Sequence, residues 1–371
     1  MSFEEQMFKT NPNFCYKETI FDKGDCLSGS YLFDVYRDKD NEVKVIAPYF
    51  DVNKAAESDN HISIINLRNN EVVKELKGHK DRVISVRYFQ DPKTKRDLLI
   101  SSDRKQNVIV WDLSNDGSKE FEVETKYEGF IYSCYLIFDE SKILAVTSSL
   151  GSNSVTKVYN IKEAGSVMEL NDSKNLNVYY VDYWHNENGK DNNEKHVIIQ
   201  CAKNKVLFTN YPSNTTYYTM QTDDNFPYIL TGKVFKNKGR DMFAWAASYG
   251  LIKIVDLASL SSEKKDDIKI KEIEMKDDVH LCGFVRWNEH YLLLNDCAQR
   301  RVIVIDTDDD YKINSKVLCP EMHFEKFILK VDHPLYGESL LSEGIDYKLK
   351  LFVNRKSKIG RAVQQECRDR Y

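Results

Sequence analysis

Short apolar segments alternate with polar turns along almost the whole chain, and each segment has the length of a β-strand. Residues 75–113 show the pattern most clearly, with apolar runs VISVRYF, LLIS and VIVWDL separated by DPKTKRD and DRKQN. Apolar runs of roughly four to eight residues with alternating or β-branched character predict strands, and polar segments with proline predict turns. The pattern therefore predicts an all-β chain of strands joined by hairpins.

The pattern also repeats. Seven runs of the form apolar-x-apolar-apolar-polar end at Asn66, Asp112, Asn160, Asn210, Asp256, Asp306 and Val353. Successive ends lie between 46 and 50 residues apart. One four-stranded antiparallel sheet cannot bury both of its faces, so such units stack around an axis. Seven repeats in 371 residues predict seven sheets in one ring.

The residues that bracket the second repeat carry a family resemblance. Gly78-His79 precedes its first apolar run, and Trp111-Asp112 closes its third. This GH…WD pattern resembles the WD-repeat family of β-propellers. A second resemblance lies in HPLYGESLLS…D…LKLF, residues 333–352. The resemblance covers roughly residues 14–354 and implies an all-β, seven-bladed WD-repeat-like β-propeller.

The two ends of the repeat region predict how the ring closes. The apolar run FCYKETI, residues 14–20, has no blade of its own, and the seventh blade lacks an outer strand. In WD-repeat propellers an N-terminal strand commonly completes the last blade, which removes the open sheet edges. We therefore expect residues 14–20 to complete blade seven. A flexible lead-in, 1–13, and a basic tail, 355–371, flank the propeller 14–354.

The resemblance further implies a hydrogen-bond network inside each blade. In the family, an acid in the turn between the second and third strands binds the histidine that precedes the blade. A spacing of six residues before the tryptophan position places this acid at Asp59 in blade one and Asp346 in blade seven. Blade two has Lys105 there, with Asp103 as an alternative. We expect structural roles for His79, Trp111, Asp112, Asp59 and Asp346.

Composition and charge narrow the functional classes. A net charge of −5 and a pI near 6.0 give no basic excess, so no nucleic-acid partner is expected. No apolar run approaches the length of a membrane span, and the acidic start does not resemble a secretory signal. Eight cysteines without C-x-x-C pairs indicate a reduced protein. We expect a cytoplasmic protein, with a cytoskeletal or ciliary location left open.

Catalytic and metal-binding motifs are absent from the sequence. It has no GxxxxGK[ST], GxGxxG, HExxH or GxSxG pattern. The acidic run from Asp306 to Val317 imitates a calcium loop, but Tyr311 and Val317 stand where glycine and glutamate are needed. A solvated hairpin turn is the better prediction. Among eight histidines only His323 and His333 approach ligand spacing. We expect no enzyme activity, no cofactor and no metal.

The remaining candidates lie on one surface. In the family, the end of the ring formed by the inter-blade loops and the second-to-third-strand turns often binds partner proteins. Arginine and aromatic residues are the enriched anchors of such interfaces. The residues expected at that end are Lys80, Arg82, Arg104, Lys105, Tyr127, Phe130, Lys203, Phe226, Tyr249, Gln299 and Tyr347.

These candidates leave alternatives open. Phe130 and Phe226 could instead cover the ends of their own blades, and the basic cluster of blade two could bind an acidic partner or be a solvated surface. The sequence predicts a non-catalytic scaffold for protein partners within a multiprotein complex. Two other classes stay open, a structural component of a cytoskeletal or ciliary assembly and an enzyme with its active site at the channel mouth.

Overall fold

Seven four-stranded antiparallel sheets make up the protein. The computed structural model describes residues 12–22, 32–50, 60–127, 129–139, 142–163, 167–187, 189, 192–222, 228–261, 268–275, 279–322 and 327–355. Over these ranges the chain forms strands β1 to β28, and each sheet is built from strands that follow one another in sequence, with one exception at β1. The predicted seven-bladed, all-β propeller is confirmed.

Each blade has an inner, a second, a third and an outer strand. The inner strands are β2 (Asp34–Arg37), β6 (Val83–Gln90), β10 (Phe130–Phe138), β14 (Val178–His185), β18 (Ile229–Asn237), β22 (Leu281–Arg286) and β26 (Phe327–His333). The second strands are β3 (Val43–Tyr49), β7 (Asp97–Asp103), β11 (Ile143–Leu150), β15 (His196–Ala202), β19 (Arg240–Ala247), β23 (Tyr291–Asp296) and β27 (Gly337–Glu343). The third strands are β4 (His61–Asn66), β8 (Asn107–Asp112), β12 (Thr156–Asn160), β16 (Lys205–Tyr211), β20 (Leu251–Asp256), β24 (Arg301–Asp306) and β28 (Lys348–Asn354). The outer strands are β5 (Glu71–Lys77), β9 (Ser118–Glu124), β13 (Val167–Glu169), β17 (Thr215–Gln221), β21 (Ile270–Glu274), β25 (Lys312–Leu318) and β1 (Phe14–Asp22).

Among the described residues, helical structure is confined to short connections. The α-helix α1 spans Asn192–Lys195, and 3-10 turns span Leu113–Asn115, Asn171–Ser173 and Leu257–Ser261. Within the described part of the chain, none of these segments has the length and apolarity that a bilayer-crossing helix needs.

Six of the seven repeats end on Asp or Asn, and this preference has a local structural reason. Asp112 Oδ1 accepts hydrogen bonds from the backbone N–H groups of Ser114 and Asn115, at 2.9 and 3.2 Å. Asp306 Oδ1 accepts the corresponding bonds from Asp308 and Asp309. Such side chains satisfy the backbone of a tight turn, so Asp or Asn recurs where the third strand ends. The acidic run after Asp306 is therefore the predicted hairpin turn, followed by β25.

Apolar cores lie between neighbouring blades. One includes Val110 of blade two and Leu136 of blade three, and another includes Ala244 of blade five and Leu292 of blade six. Each sheet thus buries both of its faces only because its neighbours cover them. This arrangement explains why the second and third strands of several blades are buried almost continuously.

Side chains on the inner strands also link the blades around the axis. Asp34 Oδ2 accepts a hydrogen bond from Tyr88 N of the next blade at 2.8 Å, and Asp182 Oδ2 accepts one from Val234 N at 3.1 Å. Arg87 lies 3.4 Å from the Asp182 carboxylate, and both groups are buried. The first two bonds join successive inner strands, and the Arg87–Asp182 contact joins blade two to blade four.

The ring closes through the first strand. β1 pairs antiparallel with β28, from Phe14 opposite Asn354 to Asp22 opposite Lys348. The Phe14 ring is buried edge-on against Trp287 of blade six, with centroids 5.2 Å apart. The predicted closure is confirmed, and the strand is two residues longer than the expected range 14–20. Residues 1–11 of the lead-in and 356–371 of the tail lie outside the described residues.

Candidate functional site

One end of the ring gathers the inter-blade connections. Each inner strand begins where its second strand ends, as the pairs Val83 with Asp103, Phe130 with Leu150 and Leu281 with Asp296 show. The turns between second and third strands lie at the same end. We call the starts of the inner strands, the segments before them and these turns the upper face.

Blade two carries a buried hydrogen-bond chain beneath the upper face. The His79 ring lies with Nδ1 3.1 Å from Asp103 Oδ2 and Nε2 2.7 Å from Ser101 Oγ. Trp111 Nε1 donates to the same Ser101 oxygen at 2.8 Å. Burial acts to raise the pKa of the Asp103 carboxyl, but the bonds from His79 and Asn107 outweigh it and hold that pKa below its usual value. The chain joins the loop before the blade to its second and third strands.

In this blade the acid that binds the histidine is Asp103, the alternative to the position held by Lys105. Asp103 lies eight residues before Trp111, at the end of β7, and Lys105 points its ammonium toward the backbone oxygen of Lys80. The Asp346 carboxylate accepts from Lys348 N and pairs with Lys350 at 2.7 Å, and no histidine among the described residues is bonded to it. Asp59 lies outside the described residues.

Four aromatic side chains form a continuous row on the upper face. The Phe130 and Tyr132 ring centroids lie 6.3 Å apart, Tyr132 and Tyr179 lie 5.8 Å apart, and Tyr179 and Tyr228 lie 5.9 Å apart. The last two pairs meet edge to face. Burial raises the pKa of Tyr132 to about 12, so its hydroxyl stays protonated. We call Phe130, Tyr132, Tyr179 and Tyr228 the aromatic row.

The row is partly open to solvent and has apolar neighbours on the same face. Phe130 and Tyr228 are each 37% exposed at its two ends. Tyr249, in the turn after β19, is 51% exposed, and Ile345, in the turn after β27, is 53% exposed. A contiguous apolar surface that is open to solvent, such as the row with its two exposed ends, is typical of interaction sites.

The basic candidates of blade two have two kinds of position, before the inner strand and in the turn between the second and third strands. Lys80 Nζ pairs with Glu124 at 3.5 Å, and the Arg82 guanidinium lies 3.9 Å from the centroid of the Phe50 ring of blade one. Arg104 and Lys105 are exposed in the turn between β7 and β8. The blade therefore presents cations at the upper face next to the blade that carries Phe130.

The other predicted residues have different positions. Lys203 and Gln299 are exposed in the turns of their blades, and Tyr347 is half-buried. Tyr127 is buried, and its hydroxyl bonds to Thr147, so the expectation that it is available for binding is wrong. It covers the edge of blade three. Phe226 lies outside the described residues.

A cluster in blade six was not singled out from the sequence. His280 Nδ1 lies 3.1 Å from Cys297 Sγ, and the potential ligand atoms of His280, Cys282 and Cys297 all lie within 4.8 Å of one another. The hydrogen bond from Cys282 and the nearby His280 ring together lower the pKa of the Cys297 thiol, against the effect of burial. The detectable signal was His-x-Cys with a cysteine fifteen residues later, which is the span of one β-hairpin.

A cavity of about 470 Å³ lies at the opposite end, where blades two, three and four meet. Lysines such as Lys93, Lys142 and Lys162 line it. Arg96 at its wall is paired with Asp112 and Glu120. The cavity is thus a basic, solvated recess, separate from the upper face.

Comparisons with known proteins bear on the fold. No family model and no curated protein matches the sequence. The structure is similar to that of the β-propeller domain of Cps50 (Swd1) from Myceliophteria thermophila, with a TM-score of 0.65 and 13% identity. The match covers 92% of this chain and 99% of that domain. At such low identity the likeness shows the propeller fold, in agreement with the architecture expected from the WD-repeat resemblance.

Proposed function

We propose that this seven-bladed β-propeller is a non-catalytic scaffold that binds partner proteins through its upper face. The observation that supports this most strongly is the aromatic row, whose exposed ends Phe130 and Tyr228 lie on the same face as Tyr249 and Ile345. Aromatic side chains present large contact areas with few rotatable bonds, and they are enriched among the residues that dominate binding energies.

The charges on the face indicate the chemistry of the partner. Arg104 and Lys105 are exposed on blade two, and the aromatic row begins on blade three at Phe130. A partner segment with apolar side chains against the aromatic row and acidic side chains over blade two would complement both the row and the exposed cations. Charge complementarity of this kind mainly increases the association rate and the selectivity.

The sequence left two other roles open, and the upper face can be considered for each. A structural subunit of a cytoskeletal or ciliary assembly would use the upper face for a permanent contact, and its location would follow from that assembly. An enzyme would need reactive groups at the channel mouth. We favour the scaffold because the exposed side chains of the row are apolar and aromatic, which suits binding better than catalysis.

The test compares partner recovery by surface variants. The purified protein is immobilised, and the proteins captured from cell extract are quantified by mass spectrometry. Tyr228→Asp and Arg104→Glu alter the upper face at exposed positions. Leu335→Asp is the matched control, because Leu335 is exposed on the opposite end, in the turn between the inner and second strands of blade seven.

We expect a stoichiometric partner that is captured by the unchanged protein and by Leu335→Asp, and lost by both upper-face variants. Circular dichroism and melting temperatures confirm that all variants are folded. Equal capture by Tyr228→Asp and by the unchanged protein would refute the assignment of the face. Turnover of a small molecule without any stoichiometric partner would favour the enzyme instead.

A further inference from the structure

Blade six brings together three side chains that are good ligands for a soft divalent metal. Cys282 and Cys297 are only 6% and 1% exposed, and His280 is half-buried beside them. Zinc binds thiolate at about 2.3 Å and imidazole nitrogen at about 2.0–2.1 Å in tetrahedral geometry. These lengths place tetrahedral ligand atoms roughly 3.5–3.8 Å apart. The distances of the cluster, from 3.1 Å to at most 4.8 Å, bracket that range.

The backbone holds the three ligands before any ion binds. Cys297 N donates to His280 O at 3.0 Å, and Leu281 N donates to Ser248 O at 3.1 Å. The buried Asp296 carboxylate accepts from His280 N at 3.1 Å. The inner strand has a bulge after Cys282, where Gly283 takes a φ of +75°. Ligands fixed on a hairpin in this way need little rearrangement to bind.

The donor set selects among metals. Two thiolates and one imidazole suit zinc and other thiophilic ions, whereas calcium and magnesium require oxygen ligands. Two thiolates would also neutralise a divalent charge in a site that water reaches poorly. Three protein ligands leave the fourth tetrahedral position for water or for a donor from another molecule.

A disulfide is the competing use of two neighbouring cysteines, and the strand register disfavours it. Cys282 lies opposite Asn295, and Cys297 follows two residues later, so the cysteines are diagonal neighbours and not a direct pair. Diagonal positions in antiparallel strands have Cα atoms about 7–8 Å apart, and a disulfide needs less than about 7 Å.

We propose that His280, Cys282 and Cys297 form a binding site for one zinc ion in the upper part of blade six. Binding releases the thiol protons to solvent and leaves both cysteines as thiolate ligands. The site stands on the geometry of one hairpin and does not depend on partner binding by the upper face. The ion would join the inter-blade segment at His280 and the inner strand at Cys282 to the turn that follows the second strand, where Cys297 lies.

Cobalt is the probe for this site. The metal-free protein, kept reduced with a phosphine, is titrated with Co²⁺ alone, and visible absorption reports tetrahedral thiolate coordination through charge-transfer bands. Zn²⁺ is then added to displace the cobalt. Cys297→Ser and His280→Gln remove one ligand each. Cys319→Ser is the matched control, because Cys319 is a buried cysteine of the same blade outside the cluster.

We expect one Co²⁺ per chain, displaced by one Zn²⁺, for the unchanged protein and for Cys319→Ser. Loss of a residue that only supports a metal ligand lowers metal affinity by roughly 10–100-fold. Each variant here loses a ligand itself, so its Co²⁺ affinity should fall by more than that. Zinc should raise the melting temperature of the unchanged protein and not that of Cys297→Ser. If Cys297→Ser does not fold, His280→Gln carries the test.

Three results would overturn the proposal. One is the absence of charge-transfer bands at one equivalent of cobalt, and another is an unchanged affinity in both ligand variants. The third is a Cys282–Cys297 disulfide in the purified protein, found by peptide mapping without reductant.

Discussion

Replacement of Asp103 by alanine should strongly lower the free energy of unfolding, because this small side chain accepts hydrogen bonds from several parts of blade two. The carboxylate is fully buried and accepts four hydrogen bonds, from His79 Nδ1 and Lys80 N at 3.1 Å and from Asn107 N and Nδ2 at 2.9 Å. In Asp103→Ala all four donors lose their acceptor in a place that water reaches poorly. The perturbation therefore tests the whole hydrogen-bond chain below the upper face.

The magnitude follows from the kind of bond that is lost. A hydrogen bond to a charged group contributes about 1.5–3 kcal/mol, but four bonds to one carboxylate are not additive. Leaving a buried polar group without its partner costs about 1–3 kcal/mol, and here four donors lose one shared acceptor. We expect a loss of roughly 4 kcal/mol in the free energy of unfolding, which corresponds to a melting temperature about 5 °C lower for a cooperative unit of this size.

Urea denaturation followed by tryptophan fluorescence measures the effect. Lys105→Ala is the matched control, because Lys105 lies two residues away, is exposed, and occupies the position that the six-residue spacing assigned to the acid. Its change should stay within about 0.5 kcal/mol. His79→Ala combined with Asp103→Ala should cost clearly less than the sum of the two single changes. If Asp103→Ala is no more destabilising than Lys105→Ala, the hydrogen-bond chain does not stabilise the blade.

Three further outcomes are expected. Phe14→Ala should lower the free energy of unfolding by about 3–5 kcal/mol in urea titrations, because the ring packs edge-on against Trp287, and an unchanged value would contradict closure by β1. Arg87→Met should lower the melting temperature, because it removes the guanidinium that lies 3.4 Å from the buried Asp182 carboxylate. Asp182→Asn in addition should recover part of the loss, because the amide is uncharged and its oxygen can still accept the hydrogen bond from Val234 N. Burial lowers the pKa of His333 from 6.5 to about 4, so the unfolded chain binds a proton that the folded protein does not. Stability should therefore fall by about 1–2 kcal/mol from pH 7.5 to pH 5, and His333→Gln should lose less over the same interval.

The repeats could be predicted from sequence because their end residues have a local cause. Asp112 and Asp306 bind the backbone of the turn that follows them, so their identity depends on neighbouring residues and not on distant contacts. The pairing of the strand at Phe14 was also predictable, because the N-terminal region has one strand without a blade and the seventh blade lacks one strand.

The site residues were less predictable because their partners depend on turn lengths and on packing between blades. For blade two the sequence left Lys105 and Asp103 as alternatives at the acid position, and the structure has Asp103, which ends β7 and does not lie in the turn itself. The side chain of Tyr127 turned out to be buried against Thr147 of the same blade. The cluster with His280 depends on the length of one hairpin, which no short motif records.

The placement of β1 makes the integrity of the circle depend on one strand that is joined to its sheet only by non-covalent bonds. The described chain enters and leaves at nearly the same point, where Arg355 N donates to Asn13 O at 2.7 Å. A covalent link across this point, with a new opening at the exposed turn before β9, should yield a circular permutant with unchanged strand pairing. Detachment of β1 would instead expose the backbone of β28 along its length, and a second copy could supply the missing strand.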